Sequence, residues 1–169
     1  MVRYLFALLL FTSSVLAEPM ALPGYTWDSP VKFGEVQELG PDAYFATYPA
    51  DVEFEQAQLE LIVVHTPRDA VAMMQEGGAD PKSLALVTFL GLAVQPDEIN
   101  KTLFMGSTEA RLVFESSVPR QHTAHVYQKY LQDGALVTVG VRDFGSKSLI
   151  ADVLRGISET FASTSVSGE

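Results

Sequence analysis

Residues 123–142 read TAHVYQKYLQDGALVTVGVR, two runs of β-branched and aromatic residues that meet at Asp133-Gly134. Asp-Gly supplies the positive-φ positions that a tight reversal needs, so the runs are expected as the arms of a β-hairpin, Thr123 to Leu131 and Ala135 to Arg142. Working outward, Arg111 to Val118 reads as a third strand of the same kind. Ala43 to Tyr48 (AYFATY) and Leu59 to His65 (LELIVVH) read as two more, stopped by Pro49 and Pro67, because proline brings no N–H to a ladder. Downstream, Leu149, Ile150, Val153, Leu154, Ile157 and Phe161 fall within an arc of roughly 140° at about 100° per residue, with Asp152, Arg155 and Glu159 outside it. That spacing predicts an amphipathic helix, capped by Ser146 or Ser148. A sheet with one apolar face and a helix with one apolar stripe bury each other. The expected fold class is therefore α+β: an antiparallel β-sheet packed by helices, with the C-terminal amphipathic helix on the sheet.

Shorter signals divide the rest of the chain. Arg3, the apolar run Tyr4 to Phe11 and the Val15-Leu16-Ala17 end have the layout of a secretory signal peptide over residues 1–17, cut before Glu18. Residues 18–42 are expected as an extended N-terminal segment, 43–162 as a single α+β domain, and 163–169 as a flexible tail of small polar residues. Thr66-Pro67-Arg68-Asp69 opens a short helix running to about Glu76 and ended by Gly77-Gly78. Leu84 to Val94 (LALVTFLGLAV) is apolar nearly all round, and Asp80-Pro81 ahead of it has the form of an N-cap followed by proline at the first helical position. A buried helix is expected there, with a central strand as the competing assignment. The run falls short of the roughly 20 apolar residues that span a bilayer, so no transmembrane segment is expected in the mature chain.

Composition removes several classes of function. The chain of 169 residues has 11 Lys+Arg, 21 Asp+Glu, three histidines and no cysteine. Without cysteine there is no disulfide framework, thiolate nucleophile or Cys-ligated zinc. A net charge of −10 argues against nucleic acid as a partner, since phosphate recognition needs clustered Lys and Arg. The charge is also uneven. Glu18 to Glu60 holds nine acids against Lys32 alone, a net −8, whereas Arg111 to Lys147 holds five cations against three acids, a net +2. Such a field can steer a basic protein partner toward the acidic part, or an acidic partner toward the Arg111, Arg120, Lys129 and Arg142 neighbourhood, with solubility alone as the competing explanation.

Candidate chemical sites are few. Asp51, Glu53 and Glu55 alternate with Val52 and Phe54, so a strand would present three acids on one face as a partner surface. His122 and His125 have the i, i+3 spacing that shares a face on a helix, where they would make half a metal site. Their neighbours Thr123, Val126, Tyr127 and Tyr130 favour a strand, which sends the two rings to opposite faces and denies them a common ion. His65, ending an apolar strand, is the best single general base. These three histidines carry the alternative reading, a small extracytoplasmic hydrolase or metal-dependent enzyme. Ser29-Pro30-Val31-Lys32 matches S-x-x-K, but Pro30 disfavours the helix on which serine and lysine would meet, and the partner motifs are missing. Asn100-Lys101-Thr102 is a glycosylation sequon, relevant only on a eukaryotic secretory route. No cofactor motif is present, and metal-independent folding is expected.

Three segments resemble a known family: Tyr44-Phe45-Ala46-Thr47-Tyr48-Pro49-Ala50, the late strand Ala135 to Val141, and the helix end Ile157-Ser158-Glu159-Thr160-Phe161. Together they look like the PsbP-like family, whose members carry an extended segment ending in Tyr-Pro, a late hairpin and a last helix ending in Ser-Phe. Val52, where an aromatic often follows Tyr-Pro, and Thr160 before Phe161 depart from that pattern. The resemblance implies an antiparallel sheet flanked by helices, serving as a non-enzymatic accessory or protein-binding module, and it assigns no catalytic residue. With the signal peptide it gives an exported domain in the periplasm or extracellular space, and with the lack of cysteine it favours the bacterial periplasm.

Overall fold

The computed structural model describes residues 18–22, 24–50, 52–93, 103–108, 111–117, 120–147, 149–160 and 162–163. Its centre is a pair of strands, β5 (Leu59–Thr66) and β9 (Leu136–Asp143), buried along nearly their whole length on both faces. They are joined antiparallel from Leu59↔Asp143 to Thr66↔Leu136. Their continuous apolar sequences follow from this position, because a strand covered on both sides has no reason to alternate. Around them β3 (Gln37–Gly40), β4 (Ala43–Tyr48), β6 (Leu103–Thr108), β7 (Arg111–Ser116) and β8 (His122–Tyr130) complete a seven-stranded sheet of order β3-β4-β5-β9-β8-β7-β6. Every neighbouring pair is antiparallel. The Asp133-Gly134 reversal is present: Gly134 has φ +91°, its N–H donates to the Leu131 carbonyl, and the Ala135 N–H donates to the Asp133 carboxylate.

Helices cover one face. α1 (Arg68–Glu76) and α2 (Pro81–Ala93) lie there, with Phe89 over Gly140 and against Ile62, Val64, Phe114 and Val126, while Val71, Ala85 and Leu136 join the two helices to the sheet. Asp80 caps α2 as expected, accepting from the Ser83 N–H at 3.1 Å. The helix is not buried all round, however: Leu84 and Val87 are 41% and 65% exposed. Val94, where the expected helix was to end, lies outside the described residues, as do the sequon and the signal-peptide segment.

On the other face the structure adds an element that the strand signals do not announce. β1 (Glu18–Leu22) and β2 (Tyr25–Ser29) form a hairpin, and β10 (Ala162–Ser163) pairs with β2 to make a second, three-stranded sheet. Residues 18–42 are thus more than an extended lead-in, since they place Leu22, Tyr25, Trp27 and Phe33 in the main hydrophobic core. Ala162 and Ser163 are likewise held in a sheet, while Phe161 lies outside the described residues. α3 (Leu149–Thr160) packs against β2 and sets Val153, Leu154 and Ile157 into the core that contains Leu61, Val63, Val139 and Val141. Each such side chain contributes about 1.5–3 kcal/mol when fully buried. Ser146 does not cap this helix with its side chain: its buried hydroxyl has no hydrogen-bond partner, and only its carbonyl accepts, from the Leu149 N–H. Ser148 lies outside the described residues. The fold is α+β, an antiparallel sheet packed by helices with the C-terminal amphipathic helix on it.

Candidate functional site

The acidic segment is not a strand. Residues Phe54–Gln56 form a 3-10 turn between β4 and β5, so the alternation of acid and apolar residues does not sort them onto two faces of a sheet. The reason is non-local. The Arg120 guanidinium donates to the Glu55 carbonyl at 2.7 Å and to the Ala57 carbonyl, and it lies 3.9 Å over the Phe144 ring. A single cation, arriving from just before β8, satisfies two turn carbonyls and stacks on an aromatic face. Glu53 and Glu55 remain exposed on this fastened turn, while Asp51 lies outside the described residues. A third member of the acidic count, Glu60, is withdrawn from the surface by a buried cross-strand pair with Arg142 at 3.0 Å.

The three histidines are kept apart. His122 and His125 do lie on strand β8 and point to opposite faces. His122 is buried beside Phe144, ring centroids 5.2 Å apart, and its Nδ1–H donates to the Arg120 carbonyl at 2.8 Å. That bond places a proton on Nδ1, since a carbonyl only accepts. His125 is buried on the α3 face. His65 shares that face but sits two strands away and four residues along, about 16 Å from His125 by strand geometry. Its Nδ1 is 3.7 Å from Asp42 and its ring meets Tyr25 edge-on at 5.5 Å. Burial, followed by the nearby Asp133, Tyr44 and Asp42, pushes the Tyr25 hydroxyl far above its usual pKa, so Tyr25 stays a neutral wall of this corner. No two histidines share a site. Among the described residues no group of three or more His, Asp or Glu is placed to hold a metal ion.

A cleft does form where α3 crosses β8. His125 and Tyr127 make its floor, and Ile150, Leu154 and Ser158, four residues apart on one ridge of α3, make its wall, enclosing about 470 Å³. A smaller pocket of about 100 Å³, sharing Tyr127 and Ser158 with it, lies against Gln128, Lys129, Val137, Val139 and Ile157. The sequence pattern marked Arg155 and Glu159 only as solvent-facing, yet both border this cleft. At about 100° per residue they lie roughly 80–100° beyond the edges of the apolar arc, so nothing in that pattern marked them as bordering a cleft. Arg120 was legible only as one cation of the Arg111, Arg120, Lys129 and Arg142 neighbourhood, because the backbone carbonyls it holds lie more than sixty residues away.

Among the described residues no helix is long and apolar enough to cross a membrane. No protein-family model and no curated protein matches the chain.

Proposed function

We infer that this is an exported, non-enzymatic accessory domain that binds a basic protein partner in the periplasm or extracellular space. The observation that carries the reading is the turn fastened by Arg120: Glu53 and Glu55 project from a backbone already held by two hydrogen bonds and a stacked ring. A preformed acidic surface loses little conformational entropy on association, which is where flexible charged loops lose affinity. The resemblance to PsbP-like modules, whose architecture is also an antiparallel sheet flanked by helices, supports the accessory role, and the signal-peptide pattern supports export.

The test is a pull-down from envelope extract at two salt concentrations, with the chain carrying Glu53→Lys and Glu55→Lys in parallel. Captured protein should fall as salt rises, because exposed charges are screened beyond about 8 Å at physiological ionic strength. The double reversal should weaken capture further. It should leave the melting temperature nearly unchanged, since exposed substitutions shift stability by no more than about 0.5 kcal/mol. Capture that ignores both salt and charge reversal would reject the acidic surface as the contact.

A further inference from the structure

The cleft beside α3 has two compartments of different character that share Tyr127 and Ser158 as a common wall. The inner one, about 100 Å³, is bounded by Val137, Val139 and Ile157, which are buried in the main core, together with Gln128 and Lys129. An apolar cavity of about 150 Å³ accommodates benzene, so this one suits a smaller, branched aliphatic group. The outer compartment is open and carries opposite charges at its rim. Arg155 is oriented by a hydrogen bond to Asp152, and Glu159 follows one turn later on the same ridge. Residues at that spacing lie about 6 Å apart, close enough to engage two charged groups of one small molecule. The C-terminal end of the α3 dipole adds negative potential on the Glu159 side, and Tyr127 lines the same cleft.

We propose that this cleft binds a small zwitterionic aliphatic ligand of the α-amino-acid class. The branched side chain occupies the Val137, Val139 and Ile157 compartment, the carboxylate meets Arg155, and the ammonium meets Glu159. Burial of the aliphatic group supplies most of the selectivity, roughly ten- to a hundredfold over glycine. Each exposed ion pair adds only about two- to fivefold. Affinity is accordingly in the millimolar range.

The experiment is titration of the isotope-labelled full chain with L-leucine to saturation, followed by NMR chemical shifts. The expected result is a saturable shift centred on Tyr127, Val139, Ile157 and Ser158, at least tenfold weaker binding of glycine, and binding two- to fivefold weaker for 4-methylpentanoate, which lacks the ammonium, and for 3-methylbutylamine, which lacks the carboxylate. Ser158→Trp places bulk at the junction of the two compartments from an exposed position and should abolish the shift. Glu159→Gln, on the open rim, should weaken leucine two- to fivefold while leaving 4-methylpentanoate unaffected, and it gives an answer even if the tryptophan disturbs the fold. The proposal is overturned if leucine binds no better than glycine, if the shifts map elsewhere, or if 4-methylpentanoate binds as well as leucine. Reversal of Glu53 and Glu55 should not alter leucine binding, which separates this site from the acidic turn.

Discussion

A β-carbon at Gly140 of β9 would lie 2.0 Å from Phe89 Cζ and 2.7 Å from its Cε2. Phe89 has nowhere to retreat, being buried among Ile62, Val64, Phe114 and Val126. Gly140→Ala should therefore cost about 1–3 kcal/mol, the range for overpacking a filled core. Phe89→Leu shortens the obstructing ring, so the double variant should lose less than the two single losses combined. Urea melts of the four chains give the coupling directly, and additivity within about 0.5 kcal/mol would show that Phe89 does not press on Gly140. A second glycine works against backbone. At Gly156 of α3 a β-carbon would come within 2.5 Å of the Asp28 carbonyl, an atom that no rotamer change can move aside. Thr160 secures the same contact, accepting from the Asp28 N–H at 2.8 Å and donating to the Gly156 carbonyl at 2.8 Å.

Among the elements, α2 has the most local explanation and the sharpest pH test. The Asp80 carboxylate accepts from the Ser83 hydroxyl and from the Ser83 N–H, and these bonds hold its pKa below the usual carboxylate value. A depressed folded-state pKa means stability that is present above the unfolded value of about 3.9 and lost as the pH falls through the lower folded value. Asp80→Asn retains an acceptor for the cap without a titrating charge. Melting temperatures of the two chains should differ by a constant amount above about pH 5 and converge as acid protonates Asp80; a gap that does not change with pH would mean that the charge is irrelevant to the cap. Local signals of this type were legible in the sequence. β4 keeps the predicted bounds Ala43–Tyr48, β5 extends one residue beyond prediction, and Asp133-Gly134 turns where its chemistry requires. The illegible parts were those decided at a distance. Pro19, Pro23, Gly24 and Pro30 interrupt every period between Glu18 and Lys32, and β2 is held by α3 and β10 as well as by β1. The acidic alternation from Asp51 to Glu55 read as a strand, and Arg120 made it a turn. Of the cleft, sequence singled out His125 for metal chemistry that its strand geometry denies, while the helix wall opposite it could only be seen once α3 was placed.

At the scale of the whole molecule, both faces of the seven-stranded sheet draw on the same two strands. β5 and β9 send Ile62 and Val64 toward α2, and Leu61, Val63, Val139 and Val141 toward α3 and the N-terminal hairpin. Neither layer can leave without stripping one side of the central pair, so the two sheets should unfold as one cooperative unit. The chain carries its own reporter for this. Trp27, the only tryptophan, is 1% exposed in β2 of the small sheet, whereas far-UV circular dichroism is dominated by the larger one. Tryptophan emission and the dichroism signal, followed in urea, should therefore trace superimposable transitions with one midpoint and one slope. Gly156→Ala, which forces α3 away from Asp28, should move both curves to lower urea together. If Trp27 reached water at a lower urea concentration than that at which the dichroism signal is lost, residues 18–29 would be a separately melting layer, and the shared core would not be what binds the two sheets.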